Sequence, residues 1–188
     1  MKKLLVITAA VIAFTSTSAR AEDPSRKLSI APFVGAFVGT GDQRDLLDDS
    51  VLTGLTLSYE VHPYVAIVGA VGWSPTQVKA LGEDLDLFQY DLGVQGQYPV
   101  ALAQGWTLKP FVGIGAGART YSFRDLDVDS ETDFAGYVSA GANVEHGAFG
   151  LGLTARDYVT AFDGLASATI DQTARNDLGL FGSVSVRF

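Results

Sequence analysis

Residues Asp177 to Phe188, DLGLFGSVSVRF, alternate without a break. Leu178, Leu180, Gly182, Val184, Val186 and Phe188 fall on one side of a strand, and Gly179, Phe181, Ser183, Ser185 and Arg187 on the other. The stretch stops on an aromatic residue. In a soluble β-sandwich such a strand would be an unprotected edge, open to pairing with another chain. In a closed barrel within a bilayer the apolar side faces lipid and the strand pairs with the first one. The strand alone allows both readings, and the rest of the chain has to separate them.

The N-terminus points to export. Met1-Lys2-Lys3 is basic, Leu4 to Phe14 (LLVITAAVIAF) is uncharged and apolar, and Ala19-Arg20-Ala21 fits the small-x-small cleavage rule. The apolar run of 11 residues is too short for the roughly 20 that a spanning helix needs. Residues 1–21 are therefore read as a cleaved signal peptide, 22–27 as a short polar leader and 28–188 as the folded domain. Cleavage removes Lys2, Lys3 and Arg20, so 13 − 3 = 10 basic residues remain against 21 acidic, a net charge of −11. Such an acidic chain excludes nucleic acid as a partner. It has no cysteine, which excludes disulfides and thiolate chemistry. Apolar residues make up 47% and the mean hydropathy is +0.22. That is high for an acidic, glycine-rich chain, and fits apolar side chains that cover an outside as well as fill an inside.

From Leu28 onward one unit repeats: alternating segment, polar loop, alternating segment, short turn. Eight strands are predicted, at Leu28–Thr40, Val51–Val61, Tyr64–Ser74, Leu85–Tyr98, Trp106–Phe123, Thr132–Glu145, Ala148–Thr160 and Asp177–Phe188. The predicted loops are Gly41–Ser50, Pro75–Asp84, Arg124–Glu131 and Ala161–Ala174. Short turns lie at His62-Pro63, Pro99–Gly105 and His146-Gly147. Long and short connections thus alternate, as in bacterial outer-membrane barrels. The uncharged run Val61–Val78 holds Gly69, Gly72, Pro63 and Pro75 and alternates, so it reads as strand and turn, not as a membrane helix.

One side of each strand is apolar. The other is glycine-rich with a few charges: Glu60, Asp91, Lys109, Arg119, Glu145, Arg156 and Arg187. In the first strand Phe33, Gly35, Phe37 and Gly39 are assigned inward and Val34, Ala36 and Val38 outward. An eight-stranded barrel has an interior only wide enough for side chains to fill. Small inward residues make room for a few long charged ones. A lipocalin-like barrel would also alternate, with its apolar face inward; the export signal and the inward glycines favour the opposite sense. Tyr59, Tyr98, Trp106 and Phe188 fall beside short turns, and Trp73 and Phe134 beside long loops, as in two interfacial girdles. The fold expected is all-β: an eight-stranded antiparallel up-and-down transmembrane β-barrel.

The stretch Tyr59-Glu60-Val61-His62-Pro63-Tyr64-Val65, followed by alternating apolar residues and Trp73, resembles the second hairpin of the OmpA-type transmembrane domain. Gly93 to Pro99 (GVQGQYP) resembles that family's fourth strand and turn. Val184, Val186 and Phe188 resemble the C-terminal insertion signal of outer-membrane barrels. The opacity-type surface proteins are equally similar. The resemblance implies insertion by the outer-membrane assembly machinery, with outer-membrane lipid and lipopolysaccharide as surroundings and a monomeric barrel. There are departures. The chain is expected to end with the barrel, without the family's peptidoglycan-binding domain. The family's third strand carries an inward carboxylate where this chain has Val68.

Glu60, Lys109, Glu145 and Arg187 should meet inside near the short-turn end, with Arg187 toward Glu60 or Glu145. Asp91, Arg119 and Arg156 should lie nearer the middle and the loop end. Mutually satisfied ion pairs that fill the lumen are one reading, since unpaired buried charge is costly. A narrow gated path for ions or small solutes is the alternative. A lipid-modifying or proteolytic barrel is a third. The two histidines, His62 and His146, sit at separate short turns without a nucleophile beside them, so no catalytic residues and no enzyme are expected. Arg156-Asp157 reads as a polar pair closing a strand end. The run Asp125, Asp127, Asp129, Glu131, Asp133 lacks the glycine and terminal glutamate geometry of a calcium loop. Neither a metal nor a cofactor is expected, and a structural or surface-interaction role follows.

Overall fold

The computed structural model describes residues 27–40, 48–78, 83–123, 130–161 and 174–188. The predicted signal peptide, nearly all of the leader and the acidic residues Asp125, Asp127 and Asp129 lie outside the described residues. Eight long strands form the wall: β1 (Leu28–Gly39), β2 (Ser50–His62), β3 (Val65–Val78), β4 (Glu83–Gln97), β6 (Trp106–Phe123), β7 (Glu131–His146), β8 (Phe149–Ala161) and β9 (Ala174–Arg187). A two-residue strand, β5 (Val100–Ala101), folds back on β6 within the turn after β4. Each wall strand pairs antiparallel with the next, β4 with β6 across that turn, and β9 closes on β1.

Closure runs to the chain's last residue. The Leu28 amide donates to the Phe188 carbonyl at 3.3 Å and the Phe188 amide to the Leu28 carbonyl at 2.8 Å. Following cross-strand partners once round the wall from Leu28 returns to β1 at Val38, ten residues farther on. Strand number and stagger together fix the tilt of a barrel's strands. The result is an all-β, eight-stranded antiparallel up-and-down barrel.

Alternation sorts the side chains as the sequence implies. On β1, Phe33 and Phe37 are buried and Val34 is exposed. On β9, Phe181 and Arg187 are buried while Leu180, Val184 and Phe188 are exposed. The exterior is a continuous apolar belt in which Phe134, Leu153 and Ile114 are 71%, 69% and 68% exposed. Bare to water, each would forfeit about 25 cal/mol for every Å² of apolar area left uncovered. Such a belt requires hydrocarbon around it.

One loop departs from expectation. Pro75–Asp84 is not a long loop: β3 runs on to Val78 and β4 starts at Glu83. Proline was the misleading signal. Pro75 keeps its place opposite Asp86, and the extension is held from within. Leu85 and Leu87 point into the lumen against Phe37, Leu52 and Tyr121. The Thr76 hydroxyl donates to the Asp48 carbonyl at 2.7 Å, and that of Ser74 to the Val51 carbonyl at 3.1 Å, tying β3 to the start of β2. The strict long-short rhythm therefore fails at this hairpin. Trp73 is also not at a strand end; it faces Phe88 across the ladder, and its indole N–H donates to Asp86 at 2.8 Å. Beyond that level the outward positions turn polar, with Gln77, Asp84, Asp86, Thr120, Ser122 and Thr132, so the wall rises past its apolar belt.

A chain without cysteine suits single-cysteine labelling. In intact cells Gln77→Cys should react with a membrane-impermeant maleimide while Val71→Cys, in the belt, should not; equal labelling would misplace the upper boundary.

Candidate functional site

The lumen holds every charged side chain that the alternation assigns inward. They form three tiers, each of which joins strands that are not neighbours in the sheet, β2 to β6 and β9, β4 to β8, and β6 to β9. At the short-turn end, Glu60 (β2), Lys109 (β6), Glu145 (β7) and Arg187 (β9) make a ring. The Lys109 ammonium lies 2.9 Å from Glu60 and 2.8 Å from Glu145. The Arg187 guanidinium lies 2.8 Å from Glu60 and 2.6 Å from Glu145. Each cation thus bridges both carboxylates. Gln97 adds a hydrogen bond to Glu60 at 3.1 Å.

At mid-height Arg156 (β8) reaches across the lumen to Asp91 (β4) at 2.7 Å, and the Tyr158 hydroxyl donates to the same carboxylate oxygen at 2.6 Å. Tyr137 covers the guanidinium, with the ring centre 4.5 Å from its carbon. Nearer the loop end Arg119 (β6) pairs with Asp177 (β9), and both side chains are fully buried. Arg119 stacks over Tyr158 at 4.0 Å and lies 5.6 Å from the Phe37 ring. Nε and Nη2 of Arg119 and Nε of Arg156 find no hydrogen-bond acceptor among the described residues. The rings supply a partial substitute, since a guanidinium is attracted to an aromatic face.

Between the lower ring and Arg156 lies a polar cavity of ≈ 60 Å³, lined among others by Ser58, Gln95, Asn143, Thr154 and Ser183. At about 10–15 Å³ of such volume per water, it has room for a handful. At the loop end an apolar cluster that includes Phe37, Leu52, Leu85, Leu87 and Tyr121 enters the lumen, beside the buried hydroxyls of Ser74 and Thr76 and the buried Asp133.

The sequence places Glu60, Lys109, Glu145 and Arg187 together, and the structure brings these four into contact. It also joins Asp91 to Arg156. Two participants were missed. Asp177 lies two residues from inward Gly179, so the parity of the strand places it inward as well. Asp133, read with the acidic loop, belongs to β7 and is buried opposite Arg119. Arg156 and Asp157 do not close a strand end as a pair: Arg156 enters the lumen and Asp157 faces outward. His62 is exposed, and His146 packs its ring against Trp106, with centres 4.7 Å apart. No group of three or more metal-ligating side chains occurs among the described residues.

The chain belongs to the outer membrane protein beta-barrel domain family, which it matches over residues 7–180. No curated protein matches it. Among solved structures it is similar to Neisserial surface protein A, with 12% identity over 86% of this chain and 97% of that one and a TM-score of 0.67. It is also similar to the N-terminal β-barrel domain of OprF from Pseudomonas aeruginosa, with 12% identity, 85% and 98% coverage and a TM-score of 0.51. The outer membrane enzyme PagL aligns over 85% and 99% at 15% identity with a TM-score of 0.44, too low to carry an argument. At these identities the likeness is one of fold. The protein is a small outer-membrane barrel, and the resemblance to OmpA-type and opacity-type barrels holds at the level of family and architecture.

The tiers should differ in tolerance. Removing one partner of a buried pair strands the other at a cost of about 3–5 kcal/mol. Asp177→Ala should lower the denaturant midpoint of the vesicle-inserted protein far more than Lys109→Met, because Arg187 still bridges both glutamates. An apolar double replacement, Arg119→Met with Asp177→Leu, should recover most of the loss.

Proposed function

We propose that this protein is a closed, non-enzymatic barrel of the outer membrane with a structural or surface-interaction role. The observation that carries this reading is the filling of the lumen at four successive heights. The lower ring, the Arg156–Asp91–Tyr158 group, the Arg119–Asp177 pair and the apolar cluster around Leu52 and Leu87 occupy it in turn, with a cavity of ≈ 60 Å³ between the lower two. Ion pairs within this stack compensate charges that would otherwise be stranded in a low-dielectric interior. The stack also braces opposite walls and makes a rigid base for the connections at the loop end, where binding functions reside in such scaffolds.

The remaining parts of the reading follow from class and sequence. The chain is exported through a signal peptide cleaved after Ala21 and inserted by the outer-membrane assembly machinery, with Val184, Val186 and Phe188 as the recognition signal. It sits as a monomer among outer-membrane lipid and lipopolysaccharide, short turns toward the periplasm and loops outward. Catalysis is disfavoured because His62 is exposed and the His146 ring packs against Trp106, each at a separate short turn. A gated path is favoured by one feature, the degeneracy of the lower ring, in which each cation has two equivalent partners. It is opposed by the apolar cluster at the other end, which has no such alternative arrangement.

Purified protein in a planar bilayer is expected to give no discrete conductance steps. Neither Lys109→Ala nor Arg156→Ala alone should open it, because the tiers above remain closed. Reproducible single-channel steps from the wild type would overturn the closed-barrel reading in favour of the pore.

A further inference from the structure

From the level of Tyr98 and Phe188 up to that of Trp73 and Phe88, the outward positions of the wall are uncharged, with one exception among the described residues. The exception is Asp157. Its neighbours Arg156 and Tyr158, 4% and 1% exposed, both enter the lumen, so alternation sends Asp157 to the lipid side. Its cross-strand partners are Val138 and Leu178, and Val138 is exposed. The outward residues on either side along β8 are Ala155 and Val159, the latter exposed as well. With a rise of about 3.3 Å per residue and a tilt of about 40°, the carboxylate lies roughly 5 Å deeper than Val159. It has no hydrogen bond or ion pair among the described residues. A charge inside the hydrocarbon belt is costly, and where it occurs it marks a function with a partner.

Three sources could supply a donor. A second copy is a poor one: the described lipid-facing wall carries no cation, and a two-fold axis along the membrane normal would set Asp157 against Asp157. The ester groups at the head of glycerophospholipid chains only accept hydrogen bonds. An acyl chain joined through an amide, or hydroxylated near its head, presents N–H or O–H donors just below the headgroup. That is the depth of Asp157, on the loop side of the belt, which faces the outer leaflet. The outward residues beside it, Ala155, Ala140 and Gly136, are small and leave space for a chain to lie against the sheet.

We propose that Asp157 is the polar anchor of a lipid-binding site on the outer face of β7–β9, selective for an outer-leaflet lipid with amide-linked or hydroxylated acyl chains, such as an acylated aminosugar lipid. The site deepens the expected association with lipopolysaccharide. It depends on the outer-membrane location but not on a closed lumen, so a conducting barrel would leave it standing.

The test uses the full mature chain in nanodiscs of phosphatidylcholine containing lipid A, with native mass spectrometry of the retained lipid. Heat-modifiable gel migration confirms that each variant is folded. The wild type should retain lipid A in preference to phosphatidylcholine, and Asp157→Leu should lose that preference by about tenfold, the worth of one charge-assisted hydrogen bond. Asp157→Asn, which keeps an acceptor oxygen, should fall between them. The preference should survive enzymatic removal of the lipid A phosphates, since the donors invoked belong to the acyl chains. Equal retention by wild type and Asp157→Leu would overturn the proposal. So would a preference that vanishes with the phosphates, or disulfide-linked dimers from Ala155→Cys at the expense of lipid retention.

Discussion

Every backbone N–H and C=O in the hydrocarbon layer must find its partner within the protein, because no water is there to take its place. For a chain built of strands the only solution is closure, and the pairing of β1 with β9 is where closure happens. It engages the chain's last residue, with the Leu28 and Phe188 amides and carbonyls exchanging hydrogen bonds. The pairing passes over Ala31 and Pro32 and resumes at Phe33. A proline has no N–H to leave stranded, so a residue that would harm a central ladder is tolerated at this seam.

Closure at eight strands leaves an interior too narrow for anything but side chains. Filling it without collision sets the pattern of small and large residues. The space a Cβ would occupy at Gly54 is taken by Phe33, at Gly115 by Tyr137 and at Gly141 by Phe111. Long charged residues enter the remaining gaps, and each is drawn to one from a distant strand: β4 to β8, β6 to β9, β2 to both β6 and β9. These pairs neutralise charge that alternation alone would strand, and they brace the tube across its diameter. The exterior follows the opposite rule, apolar through the belt, so that the outward carboxylate of Asp157, the one charge at belt height among the described residues, stands out against it.

Most of this was legible in the chain, because a period of two is a local property. The parity of Val184 and Phe188 against Ser185 and Arg187, or of Leu92 and Val94 against Asp91 and Gln95, can be read without knowing any neighbour. The same parity would have located Asp177, had it been carried two residues back from Gly179. Pro75 misled because a proline signals a turn locally, whereas the β3–β4 extension is held by Leu85, Leu87 and the Ser74 and Thr76 hydroxyls from other strands.

The sequence by itself determined the strand count, the facing of most side chains, the membrane as solvent and the inward side of seven of the charges. Only the tertiary structure decided which of those charges meet, how far the wall rises above its belt, and that Asp157 stands at the height of that belt. The physical reason is that facing depends on alternation along one strand. Height depends on the stagger accumulated over all eight, ten residues in one circuit, and the heights decide which side chains can touch.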